Sequence, residues 1–263
     1  METVIKVFSI LPWGDWAALA AFFVGWSGYA WFAKDRSQTR PSVLATTNRY
    51  RRQWMMQTTY RDVRVIDGVV IQNLSTSPSF FASTTILLIG GLLAALSAGD
   101  KASDLVRDIP FAARTTVLIF ELKLVLLLVI FVYAFFRFTW SMRQYTFGAL
   151  MIAAAPEAKQ FDELGAEGDE KRKAFADKAG RVVGLAAETF NDGLRAYYLA
   201  FAAVGWFFSP LIFVLATAGV IWILYQREFH SEVLGALNSG GATDGAREGS
   251  SDSRSSNTKH PPS

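Results

Sequence analysis

Glu121 and Lys123 stand two residues apart inside "FELKLVLLLVIFVYAFFRF", Phe120 to Phe138, with Arg137 near its end. The rest of that run is almost wholly apolar. A charge at the centre of a bilayer costs about 2.5–3.5 kcal/mol on insertion scales. An acid and a base so placed either line an ion or proton path or tie helices together. Two residues on a helix are separated by about 200° of rotation, so Glu121 and Lys123 look to opposite sides. Each then needs its own partner on another helix, on the loop from Asp100 to Arg114, or on a second subunit. If the hydrocarbon begins at Thr116, Glu121 lies about 8 Å deep and Lys123 about 10 Å at 1.5 Å per residue, within snorkelling reach of the headgroups. An anchor or inter-helix pair is the favoured reading, and an ion or proton pathway is its rival.

Little else in the chain carries chemistry. His230 and His260 have no second ligand at metal spacing, so neither a metal nor a cofactor is expected. With no cysteine there is no disulfide, thiolate zinc site or cysteine nucleophile. Neither a phosphate-binding glycine loop nor a dinucleotide fingerprint is present, and "GWSGY" from Gly25 matches a serine elbow in letters only, inside an apolar run. An enzyme is not expected. Arg49, Arg51, Arg52, Arg61 and Arg64, interleaved with Trp54, have a nucleic-acid-like composition. Anionic headgroups attract such a cluster at about 1 kcal/mol per cation, and in a chain of this type lipid rather than nucleic acid is the expected partner.

The elements that must position these residues are membrane helices. Hydrophobic residues make up 51% of the 263, the mean hydropathy is +0.23, and the apolar residues are gathered in runs. A crossing helix needs about 20 such residues. Four runs qualify: Trp13 to Ala33, Ser79 to Ala98, Thr116 to Phe138, and Ala196 to Tyr225 with Pro210 inside it. The predicted fold is all-α: a four-span membrane domain over residues 1–230 with long helical extensions on the cytoplasmic side, in loops 34–78 and 139–195. A disordered tail over 231–263 is expected from its Gly and Ser content. The first run lacks a basic start and a cleavage site and reads as a retained anchor.

Lys and Arg mark the cytoplasmic side. They crowd the loop from Lys34 to Pro78, whereas Lys101, Arg107 and Arg114 are offset by Asp100, Asp104 and Asp108. The first loop is thus cytoplasmic and both termini lie on the far side, as in a multi-pass protein of an inner (plasma) membrane. Arg137, Arg143 and Arg195 join the basic residues at the cytoplasmic interface. Ala17, Ala21 and Gly25, and Gly90, Ala94 and Ala98, recur every four residues and read as helix-packing faces. Ser77-Pro78 reads as a helix start. A stripe from Phe175 through Val182, Phe190 and Tyr197 runs unbroken into the fourth span. "EAKQFDELGAEGDEKRK", Glu157 to Lys173, reads as a mobile connector.

Several strings also resemble a known family. "RVIDGVVIQNLSTSPSFFASTTILLIGGLLAAL", "FELKLVLLLVIFVYAFFRFTWSMRQYTFGALMIAAAP", "FNDGLRAYYLAFAAVGWF" and "LYQREF" are similar, in that order, to the bacterial branch of domain of unknown function 599 (DUF599), from about Arg49 to Phe229. The resemblance implies an integral membrane protein without an established activity and offers no catalytic residues. Its recognisable strings include Glu121, Lys123, Phe135, Phe136, Trp140, Arg143, Asn191, Arg195, Tyr197 and Glu228. The expected role is a structural, assembly or interaction component, as a homo-oligomer or beside a membrane-protein partner. The alternative is an ion or small-solute channel using the charges of span three.

Overall fold

The computed structural model describes residues 11–39, 42–107 and 116–237, and among them every regular element is helical. In chain order these are α1 (Trp13–Thr39), α2 (Val43–Thr58), α3 (Val65–Arg107), α4 (Val117–Ala153), α5 (Ala158–Asp162), α6 (Ala166–Val204), a 3₁₀ turn (Gly205–Phe207) and α7 (Pro210–Phe229). Four helical stretches are long and apolar enough to cross a membrane: Trp13–Ala33, Val65–Ala98, Val117–Ala153 and Pro210–Leu237.

The helices outgrow the bilayer. The 37 residues of α4 extend about 56 Å at 1.5 Å each, against a hydrocarbon core of about 30 Å. The excess projects from one end. There the last turns of α4, the first turns of α3 and the first half of α6 meet α2 and α5 in a basal layer. Met55, Ile71, Tyr145, Ile152, Ala179 and Val183 form its core. A separate core, around Phe22, Ile130, Phe138, Leu199, Trp206 and Phe213, fills the membrane part.

Small residues on α6 allow this packing. Gly180 faces the backbone of Arg52 on α2, where an added Cβ would lie 2.8 Å from the Arg52 Cα. One turn on, at Gly184, it would meet Asn48 Oδ1 at 3.0 Å, and at Gly193 the Phe138 ring at 2.5 Å. Phe138 then stacks on Phe81 of α3 at 5.3 Å between centroids. Tyr197 shares a 2.7 Å hydrogen bond with Thr85. The small-residue faces expected from sequence are placed differently. Ala17, Ala21, Gly90, Ala94 and Ala98 are exposed in the single chain, and a Cβ at Gly90 would meet nothing within 4 Å. Gly25 alone of that set packs closely, its Cβ position lying 2.9 Å from Ile221 Cδ1. Ala18 and Phe22 carry the buried face of α1 instead.

Three expected boundaries move. Ser77-Pro78 does not start a helix, because α3 runs through Pro78 from Val65. The turn is held on either side by Ile71, packed near Gly148 of α4, and by Phe81, so loss of one backbone bond is tolerated, as it often is in membrane helices. The charged stretch from Glu157 to Lys173 forms α5 and the opening of α6, joined at Gly165 with φ 57°. Phe161 and Arg172 are buried within it.

The third change alters the topology. The run from Ala196 to Tyr225 is not one kinked helix. α6 ends at Val204, Ser209 caps α7 by accepting from the Ile212 amide at 3.1 Å, and Pro210 takes the first helical position. The chain then turns back. Trp206 stacks on Phe213 at 5.5 Å, and Arg227 Nη1 donates to the hydroxyl of Tyr198 at 2.6 Å, 29 residues upstream. The end of α6 therefore climbs beside α4 and α7 descends. The ends of the described chain lie at opposite ends of the bundle. Asp15 lies at Trp206, whereas the Tyr50 hydroxyl donates to the carbonyl of Leu237 in the basal layer at 3.0 Å. The tail beyond Leu237 lies outside the described residues.

Candidate functional site

Three charged constellations occupy successive levels of the bundle. At the end away from the basal layer, Lys123 is 2% exposed. Its Nζ lies 5.5 Å from the Trp206 ring and 5.8 Å from that of Phe207, and the carboxylate of Asp15 acts on it electrostatically. Asp15 is itself buried and accepts the Trp206 indole N–H at 2.5 Å. Two aromatic faces thus flank the ammonium, and Asp15 is hydrogen-bonded to the nearer of those rings, Trp206. Glu121 looks elsewhere: it is half-buried and makes no hydrogen bond or ion pair among the described residues. The two are not brought into one site.

Nearer the basal layer, Arg137 of α4 pairs with Asp192 of α6. Asp192 also accepts from Arg195 Nη1 at 3.2 Å, and the Arg195 guanidinium lies over Tyr29 of α1 at 5.7 Å. One carboxylate therefore ties two guanidinium groups at the junction of α1, α4 and α6.

The basic cluster read from the first loop divides by role. Arg61 pairs with the fully buried Asp67 at 2.7 Å. Asp67 also accepts from Trp54 Nε1 at 2.7 Å and Thr58 Oγ1 at 3.3 Å. Arg64 donates to the carbonyls of Ala155, at 2.6 Å, and Pro156, closing the C-terminal end of α4. These two tie parts of the basal layer together, Arg61 with its side chain still exposed. Arg49, Arg52 and Arg143 remain exposed, the last over Phe147 at 5.8 Å.

Arg51 enters the third constellation, a cavity of about 360 Å³ between α1, α2, α6 and α7 at the basal end. Arg51, Arg195, Arg227 and Glu228 are its charged lining. Leu194, Leu224 and Val43 line it with apolar surface, and the rings of Tyr29 and Tyr198 join them. Arg51 Nη1 donates to Thr47 Oγ1 at 3.0 Å and Asn48 Oδ1 at 2.8 Å. Burial lowers its pKa from the usual arginine value, with Tyr145 and Glu188 opposing. Glu228 accepts from the Leu44 amide in the first turn of α2 at 3.5 Å.

Asp15, Trp206, Asp192, Arg227 and Glu228 complete these constellations and were not singled out by their chemistry in the sequence. Asp15 had a legible signal, a lone acid in an apolar run. The others signal nothing until the chain reverses at Ser209. His230 is exposed at the end of α7, its ring 5.2 Å from that of Tyr225. Among the described residues no three metal-ligating side chains gather.

No curated protein and no solved structure matches the chain. A family model described as "Protein of unknown function, DUF599" matches residues 17–233. A match over that much of the chain, from within α1 to just past the end of α7, leads to one conclusion: this protein belongs to the DUF599 family.

Proposed function

We propose that this membrane protein is a non-enzymatic interaction component. Its crossing helices anchor a helical layer on the cytoplasmic face of the bilayer. The observation that carries the reading is the closure of Lys123. A cation that conducts or relays protons needs a polar path; here two aromatic rings flank a buried ammonium at the opposite end from the basal layer. Lys123 joins α4 to α1 and to the turn before α7, which is the work of an anchor. The position of Arg49, Arg51, Arg52, Arg61 and Arg64 in the basal layer supports a cytoplasmic placement under the positive-inside rule. Asp15 then lies on the non-cytoplasmic side and Leu237 on the cytoplasmic side.

The test is ion and proton flux through proteoliposomes holding the purified chain. The anchor reading expects flux no greater than in protein-free vesicles, and no change with Glu121→Gln or Lys123→Met. Flux that either substitution alters, in protein that still runs as a single species by size exclusion, would restore the channel reading.

A further inference from the structure

The cavity at the basal end has an excess of positive charge, with three guanidinium groups against the one carboxylate of Glu228. Arg195 already has Asp192. Arg51 and Arg227 have no carboxylate within ion-pair distance among the described residues. Their donors go to neutral oxygens, those of Thr47 and Asn48 for Arg51 and of Tyr198 for Arg227. Arg51 is half-buried there, and removing a cation from water without an anion in contact is costly; Arg227 is exposed and lines the same space. The N-terminal turn of α2, the positive end of a 16-residue helix, opens on the same space through Val43 and Leu44.

The second cavity, between α2 and α6, lacks this imbalance. Arg52 and Arg181 there face Asp177 and Glu188, and Asn48 Nδ2 donates to Glu188 at 3.0 Å.

We infer that the cavity between α1, α2, α6 and α7 binds a phosphate-bearing anion, with Arg51 and Arg227 as its ligands. Guanidinium groups present paired donors that suit phosphate oxygens. The volume, about 360 Å³, falls at the small end of ligand pockets and exceeds what a bare anion fills. Leu194, Leu224, Val43 and the Tyr29 ring give the space beyond the arginines an apolar wall, which suits an organic ester. Glu228 stands where it can accept from a hydroxyl of the same ligand. Two sources supply this chemistry: an anionic phospholipid headgroup entering from the inner leaflet, or a soluble phosphate ester. The lipid source rests on the cytoplasmic placement of the basal layer.

The experiment is native mass spectrometry of the full chain in detergent, titrated separately with phosphatidylglycerol, phosphatidylcholine and glycerol phosphate. One phosphatidylglycerol per chain is expected to bind at least about tenfold more tightly than phosphatidylcholine if the lipid is the ligand. Saturable binding of glycerol phosphate alone would assign the soluble ester. In either case Arg227→Gln and Arg51→Gln each weaken binding about tenfold, the loss of charge-assisted donors, whereas the exposed Arg49→Gln does not. Should Arg51→Gln fail to fold, Arg227→Gln decides alone. Equal binding by the Arg227→Gln and Arg49→Gln variants, or no saturable binding of either probe, overturns the site. Detergent binding does not depend on flux or on membrane sidedness, so its failure is separate from failure of the anchor reading.

Discussion

Trp206 donates its indole N–H to Asp15 at 2.5 Å and spreads its ring beside the ammonium of Lys123. One side chain in the turn after α6 thus joins the first residues of α1 to the third long apolar helix. It closes the bundle at the end away from the basal layer, and it makes Asp15 answerable to two groups at once.

The coupling can be measured. Asp15→Asn and Lys123→Met should each lower the thermal midpoint of the detergent-solubilised protein, with an unfavourable change of about 1–3 kcal/mol where a buried group loses its partner. The double variant should be less destabilised than the two singles combined, because neither charge is then left alone. Additive effects would mean that Asp15 and Lys123 do not act as a pair.

The two kinds of glycine should respond in opposite ways. Gly180→Ala puts a Cβ 2.8 Å from the Arg52 Cα, where backbone must move. A loss of about 1–3 kcal/mol, typical of overpacking, is expected. Gly91→Ala meets nothing within 4 Å and should be neutral or stabilising by up to about 1 kcal/mol through helix propensity. Thermal unfolding of the two variants side by side decides it; equal destabilisation would contradict the packing of α2 on α6.

Arg172 is 1% exposed. It donates to the carbonyls of Thr59 at 2.8 Å and Ala158 at 3.1 Å, pairs with Asp162, and lies 4.2 Å from the Tyr60 ring centroid. Lysine keeps the charge without the fork of donors. Arg172→Lys should therefore loosen α5 and the start of α6. Limited proteolysis should cut faster between residues 156 and 170 while the membrane helices stay intact. Unchanged cleavage would show that the arginine geometry is dispensable.

The reversal at Ser209 predicts sidedness. The chain has no cysteine, so single introduced thiols report without background. Gly14→Cys should react with an impermeant maleimide from one face of the membrane, and Arg49→Cys and Glu232→Cys from the other. Labelling of Gly14→Cys and Glu232→Cys from the same face would rule out the descending course of α7.

Much of this protein follows from its sequence through hydrophobicity and helical geometry alone. The length of an apolar run against the thickness of a bilayer picks out α1, α3 and α4, and a fourth run, Ala196 to Tyr225, which the fold divides between the end of α6 and α7. The rotation per residue separates Glu121 from Lys123, and the stripe from Phe175 to Tyr197 announces α6. These are local properties, decided by neighbours within a few turns. The direction of the chain after Val204 is not local. Apolar residues continue on both sides of Ser209 and Pro210, and hydropathy does not distinguish a kink from a reversal. Only the stacking of Trp206 on Phe213 and the bond from Arg227 to Tyr198 choose the reversal. Tertiary packing likewise sorted the arginines: Arg61 to Asp67, Arg64 to the end of α4, and Arg51 and Arg227 to a shared cavity. A charge's role depends on which distant group the fold brings to it, and that is a matter of three-dimensional contact, not of spacing along the chain.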